Sequence, residues 1–321
     1  KISLYSFEGE YLVEKSATKS IVLSEPKQNS SWVMSGVNYQ NFFGNLYLSG
    51  MENIFLKKKI GKQKFSILRH TTSPLIYDNN IFFADDRGTI FSITQKGKIN
   101  WKRNIYKKLY KKIYKKLSFS IYESKIYISD NIGFIYVINS VDGKIIWIKN
   151  HGVPLKSKIK IYKNKIFVIN QDNRLICLDV DQGTLIWDIR SVSSFIKLQN
   201  FLGIAISKKG EVVTLNSSGD LMKINPDNGR IYWTVNTSNS MSAFETDFFK
   251  NSDLVISDDE IIFSTSSSLY SVNLSNGYLN WKIGMNSIGT PIIDNESIFL
   301  ITENGFFINV ERISGKINWS I

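Results

Sequence analysis

One cysteine, two histidines and five prolines in 321 residues set the first limits on this chain. A single cysteine, Cys177, excludes an internal disulfide and leaves the redox compartment open, cytosol and periplasm alike. It stands in the apolar row Leu175-Ile176-Cys177-Leu178 and reads as a small buried residue of a strand. The histidines, His70 and His151, lie far apart and are expected as satisfied loop or core residues rather than as a base. No run of about 18 apolar residues is present, so no transmembrane helix is expected. There is no Gly-rich phosphate loop, no H-E-x-x-H and no G-x-S-x-G. The adjacent acids Asp85-Asp86 and Asp258-Asp259 fall in turn-like stretches, where neighbouring side chains point apart. Asp130-Asn131, Asp172-Asn173 and Asp227-Asn228 read as turn formers and fall short of a calcium loop's oxygen ligands. No catalytic residue, metal or cofactor is expected. The chain starts at Lys1 without an initiator Met or a basic, apolar leader, and its ends read as processing boundaries.

Acidic residues are also scarce. Forty Lys and Arg against 28 Asp and Glu give a net charge of +12. Half of that excess lies in residues 106–117, Tyr-Lys-Lys-Leu-Tyr-Lys-Lys-Ile-Tyr-Lys-Lys-Leu. Tyr106, Leu109, Tyr110, Ile113, Tyr114 and Leu117 fall at helical spacing, with lysines opposite. Two readings stand: a basic amphipathic turn or helix on a loop, able to touch an anionic membrane or an acidic partner, or a solvated insertion. The remaining lysines are scattered, so nucleic acid is not expected as a partner.

What the chain has in abundance is a repeat. Six times a Gly is followed four residues later by a Trp: Gly97–Trp101, Gly143–Trp147, Gly183–Trp187, Gly229–Trp233, Gly277–Trp281 and Gly315–Trp319. The Trp positions recur 46, 40, 46, 48 and 38 residues apart, a period that marks an array of small identical units. The residue two after each Gly is apolar (Ile99, Ile145, Leu185, Ile231, Leu279, Ile317). Period-two alternation therefore places it on the same face as the Trp. Gly after Asp or Asn signals a hairpin. Upstream of each hairpin lie two further apolar runs, such as Ile126–Ser129 and Phe134–Ile138, and a shorter fourth one, clearest in Ser73–Tyr77 and Thr290–Ile293. Short runs between turn signals predict four antiparallel strands per unit and an all-β chain. Radial packing of such sheets, a β-propeller, buries both faces of each one. The Trp rings are expected between blades, where each removes about 150–250 Å² from water.

The strand–turn–strand–(D/N)G-x-φ-x-W unit resembles that of pyrroloquinoline-quinone-type propellers. Within them the chain resembles the outer-membrane protein assembly factor BamB family, over about residues 31–321. Trp32-x-x-x-Gly36-x-Asn38 is similar to that family's W-x-x-x-G-G-N segment, with Val37 in place of the second Gly. Phe55-Leu56-x-x-x-Ile60-Gly61 followed by Ser73-Pro74-Leu75-Ile76 is similar to its opening strand and first blade. The resemblance implies a non-enzymatic scaffold without cofactor, at the periplasmic face of the bacterial outer membrane, held by a lipid anchor not present in this chain. Its partners would be the periplasmic transport-associated domains of a BamA-like insertase and unfolded outer-membrane proteins. The implied contacts are Phe195, Ile196 and Lys197 in the loop after the third blade's Trp, with Lys197 standing for the family's Arg, and Asp253 in the fifth-blade loop. Residues 1–54 would be a partly irregular N-terminal segment and 55–321 the propeller, with Phe55–Ile60 giving one closing strand. The family has eight blades and six are visible here. Either about two C-terminal blades are missing after Ile321, or the ring closes with fewer.

Two other functions fit a propeller of this kind. A generic protein-binding or sensor module needs only the presented loops. A quinoprotein dehydrogenase would need a Ca²⁺ site of Glu, Asn and Asp, and many such enzymes carry a vicinal disulfide that one cysteine cannot form.

Overall fold

The computed structural model describes residues 15–16, 20–50, 54–62, 73–191, 202–237, 251–265, 267–285, 287 and 289–321. Among them, six sheets of four antiparallel strands follow one another along the chain, each a simple meander of four consecutive strands. The first leaf is β1 (Leu75–Tyr77), β2 (Asn80–Ala84), β3 (Thr89–Thr94) and β4 (Ile99–Asn104). The second is β5 (Leu117–Tyr122), β6 (Lys125–Asp130), β7 (Phe134–Asn139) and β8 (Ile145–Asn150). The third is β9 (Lys160–Tyr162), β10 (Lys165–Ile169), β11 (Arg174–Asp179) and β12 (Leu185–Arg190). The fourth is β13 (Gly203–Ile206), β14 (Val212–Leu215), β15 (Asp220–Ile224) and β16 (Ile231–Asn236). The fifth is β17 (Val255–Ser257), β18 (Glu260–Ser264), β19 (Leu269–Asn273) and β20 (Leu279–Ile283). The sixth is β21 (Ile292–Asp294), β22 (Ser297–Ile301), β23 (Phe307–Glu311) and β24 (Ile317–Ser320). The chain divides into two compact units, one of residues 27–39 and 46–191 with the first three leaves, the other of residues 1–26, 40–45 and 192–321 with the last three.

The middle strands are buried on both faces, so they read as continuous apolar runs rather than alternating ones. Ile166, Phe167, Val168 and Ile169 of β10 are all buried. The turns between them are set by short polar side chains. Asn170 Oδ1 accepts from the backbone of Asp172 and Arg174, and Asn216 Oδ1 from Ser218 and Asp220. The last hairpin of four leaves uses the same device four residues before its Gly, at Asn139, Asp179, Asn225 and Asn273. Such side chains mimic a backbone turn and lower the cost of the reversal.

The glycine of the repeat has two reasons to be glycine. Gly143, Gly183, Gly277 and Gly315 have φ between +64° and +79°, a region L side chains seldom adopt. Each also lies flat on the indole of the preceding leaf. A Cβ on Gly143 would stand 2.6 Å from Trp101, on Gly183 2.8 Å from Trp147, on Gly277 2.8 Å from Trp233 and on Gly315 2.7 Å from Trp281. The same indoles donate Nε1 to the backbone of that next leaf, at Ser140, Val180, Leu274 and Arg312. Among the described residues no leaf precedes that of Gly97. Leu56 Cδ1 takes the covering place, 2.9 Å from where a Cβ would be, and Lys58 Nζ donates to the Gly97 carbonyl at 2.7 Å. Residues 54–62 thus cover the first leaf without pairing as the closing strand expected at Phe55–Ile60.

One expectation fails for a clear reason. In every leaf the pairing of the last two strands slips opposite the Trp, leaving Asn100, Ile146, Ile186, Tyr232, Asn280 or Asn318 as an extra residue. A bulge of this kind breaks period-two alternation. The apolar residue two after the Gly therefore does not share the Trp's buried face: Leu185 and Leu279 are each 54% exposed, and of the six only Ile317 is buried. The indoles themselves are half-buried, apart from Trp281 at 9% exposure.

The segment from Trp32 to Asn41 lies along the leaves' first strands. In one unit Trp32 exchanges backbone hydrogen bonds with Ile76, Met34 bridges Ser120, and buried Lys160 donates Nζ to the carbonyls of Ser35 and Asn38. In the other, Asn41 Nδ2 donates to Ile204 and Leu254 at 3.0 and 2.7 Å, and Gln40 to Ile256 at 3.2 Å. Val37, where the family pattern has Gly, sits at φ +68°, a costly conformation for a β-branched residue.

Candidate functional site

Of the four partner-binding residues expected from sequence, Phe195, Ile196 and Lys197 lie outside the described residues. Asp253 is described. It lies two residues before β17, is half-buried, and its Oδ2 accepts a 2.8 Å hydrogen bond from Thr290 Oγ1, two residues before β21. The backbone on its N-terminal side is fixed by Ser252, whose hydroxyl accepts from Ser264 N and donates to the Asp253 carbonyl. The carboxylate is thus held at the mouth of two successive leaves.

The other titratable groups singled out in the sequence do not converge. Cys177 is fully buried in β11. His70 lies outside the described residues. The His151 imidazole is held below its usual range by burial, with Arg174 and Lys149 adding repulsion. Asp85 spends Oδ1 on the backbone of Arg87 and Thr89. Asp258 pairs with Lys208 at 3.1 Å, while Asp259 turns to Ser275 at 2.7 Å. Among the described residues no three His, Cys, Asp or Glu side chains gather where a metal ion could be held.

Two cationic features stand out in the unit that holds the first three leaves. One is the 106–117 connection between β4 and β5. It contains a single 3-10 turn, Tyr110–Lys112, so of the turn or helix that the spacing allows it forms the turn. The tyrosines fix it. Tyr106 is buried, donates its hydroxyl to Asp130 Oδ2 at 2.6 Å, and lies edge-on to Tyr136. Tyr110 packs edge-on to Phe134. Lys115 turns inward, its Nζ 4.6 Å from the Tyr106 ring and bonded to the carbonyls of Tyr110 and Ile113. These local bonds compete with helical ones and win. Gly88 makes room for the arrangement, since a Cβ there would meet the Tyr106 ring at 2.2 Å. Lys107, Lys108, Lys111 and Lys112 point outward, and so do Leu109 and Ile113, which are 77% and 45% exposed.

The second feature is a cavity of about 650 Å³ beside this loop. Lys58, Lys59, Lys62, Arg87, Lys102 and Lys111 line it, over an apolar floor that includes Phe91 and Ile99, with Asp85 the sole acid. Sequence reasoning missed it because its cations come from four separated stretches, at 58–62, 87, 102 and 111. The Lys57-Lys58-Lys59 run was the available signal.

Lys116, at the base of the loop, has its pKa pushed down to about 8 by burial and by repulsion from Lys156 and Lys158. The unfolded chain holds that proton up to the ordinary value of 10.5. Between the two pH values the unfolded state binds more protons, so this group makes stability rise with pH; below about 8 its cost is present in full. Thermal unfolding followed from pH 7 to pH 10 should show that rise against Lys116→Met, which lacks the contribution.

Comparison with known proteins adds the following. Residues 118–321 match the family model described as outer membrane protein assembly factor BamB. The chain is 20% identical over 256 residues to the protein of that name from Yersinia pestis, covering 77% of this chain and 65% of that protein. The crystal structure of BamB from Moraxella catarrhalis superposes with a TM-score of 0.67 at 14% identity, over 79% of this chain and 76% of that one. A quinohemoprotein alcohol dehydrogenase from Comamonas testosteroni superposes with a TM-score of 0.65 at 12% identity, over 91% of this chain and 67% of that one. At such identities the superpositions establish the fold, a β-propeller of four-stranded antiparallel blades. The chain spans less than two thirds of the length of the curated relatives it matches.

Proposed function

The chain belongs to the outer membrane protein assembly factor BamB family, and from that premise we propose that it is a non-enzymatic scaffold of the outer-membrane β-barrel assembly machinery. It binds the periplasmic transport-associated domains of a BamA-like insertase at the periplasmic face of the outer membrane, where a lipid anchor outside this chain holds it, and aids delivery and insertion of outer-membrane proteins. The observation that carries this reading is the family match over residues 118–321. Physical support comes from the leaves. Trp101, Trp147, Trp233 and Trp281 are each locked to the next leaf by a hydrogen bond and a bare glycine, so the loops at those leaf mouths stand on stiff supports, which suits docking without chemistry. Likeness of fold to a dehydrogenase carries no chemistry by itself.

The docking surface is assigned to Phe195, Ile196 and Lys197 together with Asp253. Lys197 supplies a point charge where a bidentate Arg would give a fork, so it tolerates a looser partner geometry. Asp253, steadied by Thr290, supplies the opposite sign. The test is a pull-down of the insertase's periplasmic domains with the double variant Lys197→Glu, Asp253→Lys. A loss of at least about tenfold in retained partner is expected, since reversing interfacial charges turns attraction into repulsion. Retention at the wild-type level would remove this site assignment.

A further inference from the structure

The 106–117 loop contains a contradiction that points to a ligand. Tyr106 is turned inward and hydrogen-bonded and Tyr110 packs on Phe134, yet two aliphatic side chains of the same apolar pattern, Leu109 and Ile113, face out with 77% and 45% exposure. They stand among Lys107, Lys108, Lys111 and Lys112, all exposed. The loop is held firmly by the Tyr106–Asp130 bond and by Lys115, so the aliphatics are presented rather than left over by a loose chain. Lys111 also lines the neighbouring cavity, where five more cations face a single acid. That acid, Asp85, is held by backbone N–H groups, and six cations outnumber it.

We propose that this loop and the adjoining cavity dock the chain onto an anionic phospholipid surface, with Leu109 and Ile113 entering the headgroup boundary and the lysines meeting lipid phosphates. Exposed aliphatics ringed by lysines are what an interfacial segment needs: apolar groups to insert, and cations that gain from the negative surface potential. The cavity is large enough to take a phosphate-bearing headgroup between Lys58, Lys102 and Lys111. An acidic polypeptide would satisfy the lysines but would leave Leu109 and Ile113 in water, so the membrane is the better fit. The contact uses this chain's own side chains and does not depend on the scaffold reading.

The experiment is co-sedimentation of the full chain with phosphatidylcholine vesicles, with and without phosphatidylglycerol. Pelleting only with the anionic vesicles, weakening as salt is raised, is expected. Each of Lys107→Gln, Lys108→Gln, Lys111→Gln and Lys112→Gln should weaken partitioning about fivefold, the worth of one lysine near such a surface. Leu109→Ser with Ile113→Ser should weaken it further at unchanged charge, and the emission of Leu109→Trp should shift to the blue on the vesicles. All these positions are exposed, so circular dichroism of the variants should match the parent. No pelleting, equal pelleting with neutral vesicles, or indifference to the lysine changes would overturn the proposal. So would full binding by the Leu109, Ile113 double variant, or capture of soluble polyglutamate in preference to vesicles, which would assign the patch to free anions or to an acidic chain.

Discussion

Trp281→Ala is expected to lower the free energy of unfolding by about 3–5 kcal/mol, the range for removing a large buried aromatic. Trp281 is the most deeply buried of the repeat's indoles, at 9% exposure. Its Nε1 donates to the Arg312 carbonyl at 2.8 Å, and its ring lies against Gly315. The same replacement at the half-buried Trp101 should cost less. Against a typical total stability of about 5–15 kcal/mol, the Trp281 loss is large enough to see in any denaturant titration. Gly315→Ala probes the contact from the other side. It is strained at φ +73° and places a Cβ 2.7 Å from the indole. Because Trp281→Ala removes the clash and leaves the strain, Gly315→Ala should cost less in the Trp281→Ala background than in the parent. Such non-additivity is the signature of residues in contact. Additive effects would mean that the ring and the glycine do not touch.

Asp130→Ala is expected to have a comparable effect through hydrogen bonding. The carboxylate is buried at the end of β6, and its Oδ1 accepts from the backbone N–H groups of Ile132, Gly133 and Phe134. Its Oδ2 accepts from Tyr106. Alanine would leave four donors without an acceptor, those of Tyr106 and Gly133 buried and those of Ile132 and Phe134 half-buried. At about 1–3 kcal/mol for each unsatisfied group, with partial recovery by water, the loss is on the order of 3–6 kcal/mol. Asp130→Asn should cost much less, because its Oδ1 still accepts the three backbone bonds. Burial already pushes the Asp130 carboxyl above its ordinary pKa, although all four hydrogen bonds oppose that shift, so little is lost with the charge itself. Equal losses for Ala and Asn, measured by urea unfolding, would show that the charge and not the accepted bonds holds the turn.

How much of this was readable in the amino-acid order follows from the range of each interaction. Strands such as Thr89–Thr94 and Phe134–Asn139 were legible to within a residue, because an apolar run between two turn formers is a local signal. The glycine of the repeat was legible as a turn former, but its second duty was not. That Gly143 must be bare because Trp101, more than 40 residues earlier in the chain, lies on it is a tertiary fact. The bulge opposite each Trp was equally hidden. Asn100 and Ile146 occupy the same slot with opposite polarity, so no composition marks it, and period-two reasoning placed Ile99 and Leu185 on the wrong side. Residues 106–117 were legible only in part. The spacing allowed a turn or a helix, and the choice of the turn rests on tertiary contacts, Tyr106 with buried Asp130 and Tyr136, and Tyr110 with Phe134. For the partner site, Asp253 was placed by family resemblance, and its bond to Thr290 joins two loops that no local pattern connects.

Isothermal titration of the insertase's periplasmic domains into the full chain tests the proposed docking role most directly. Saturable binding at one site, weakened by Lys197→Glu with Asp253→Lys, is the predicted result. A titration without binding, at concentrations where circular dichroism shows both partners folded, would contradict it.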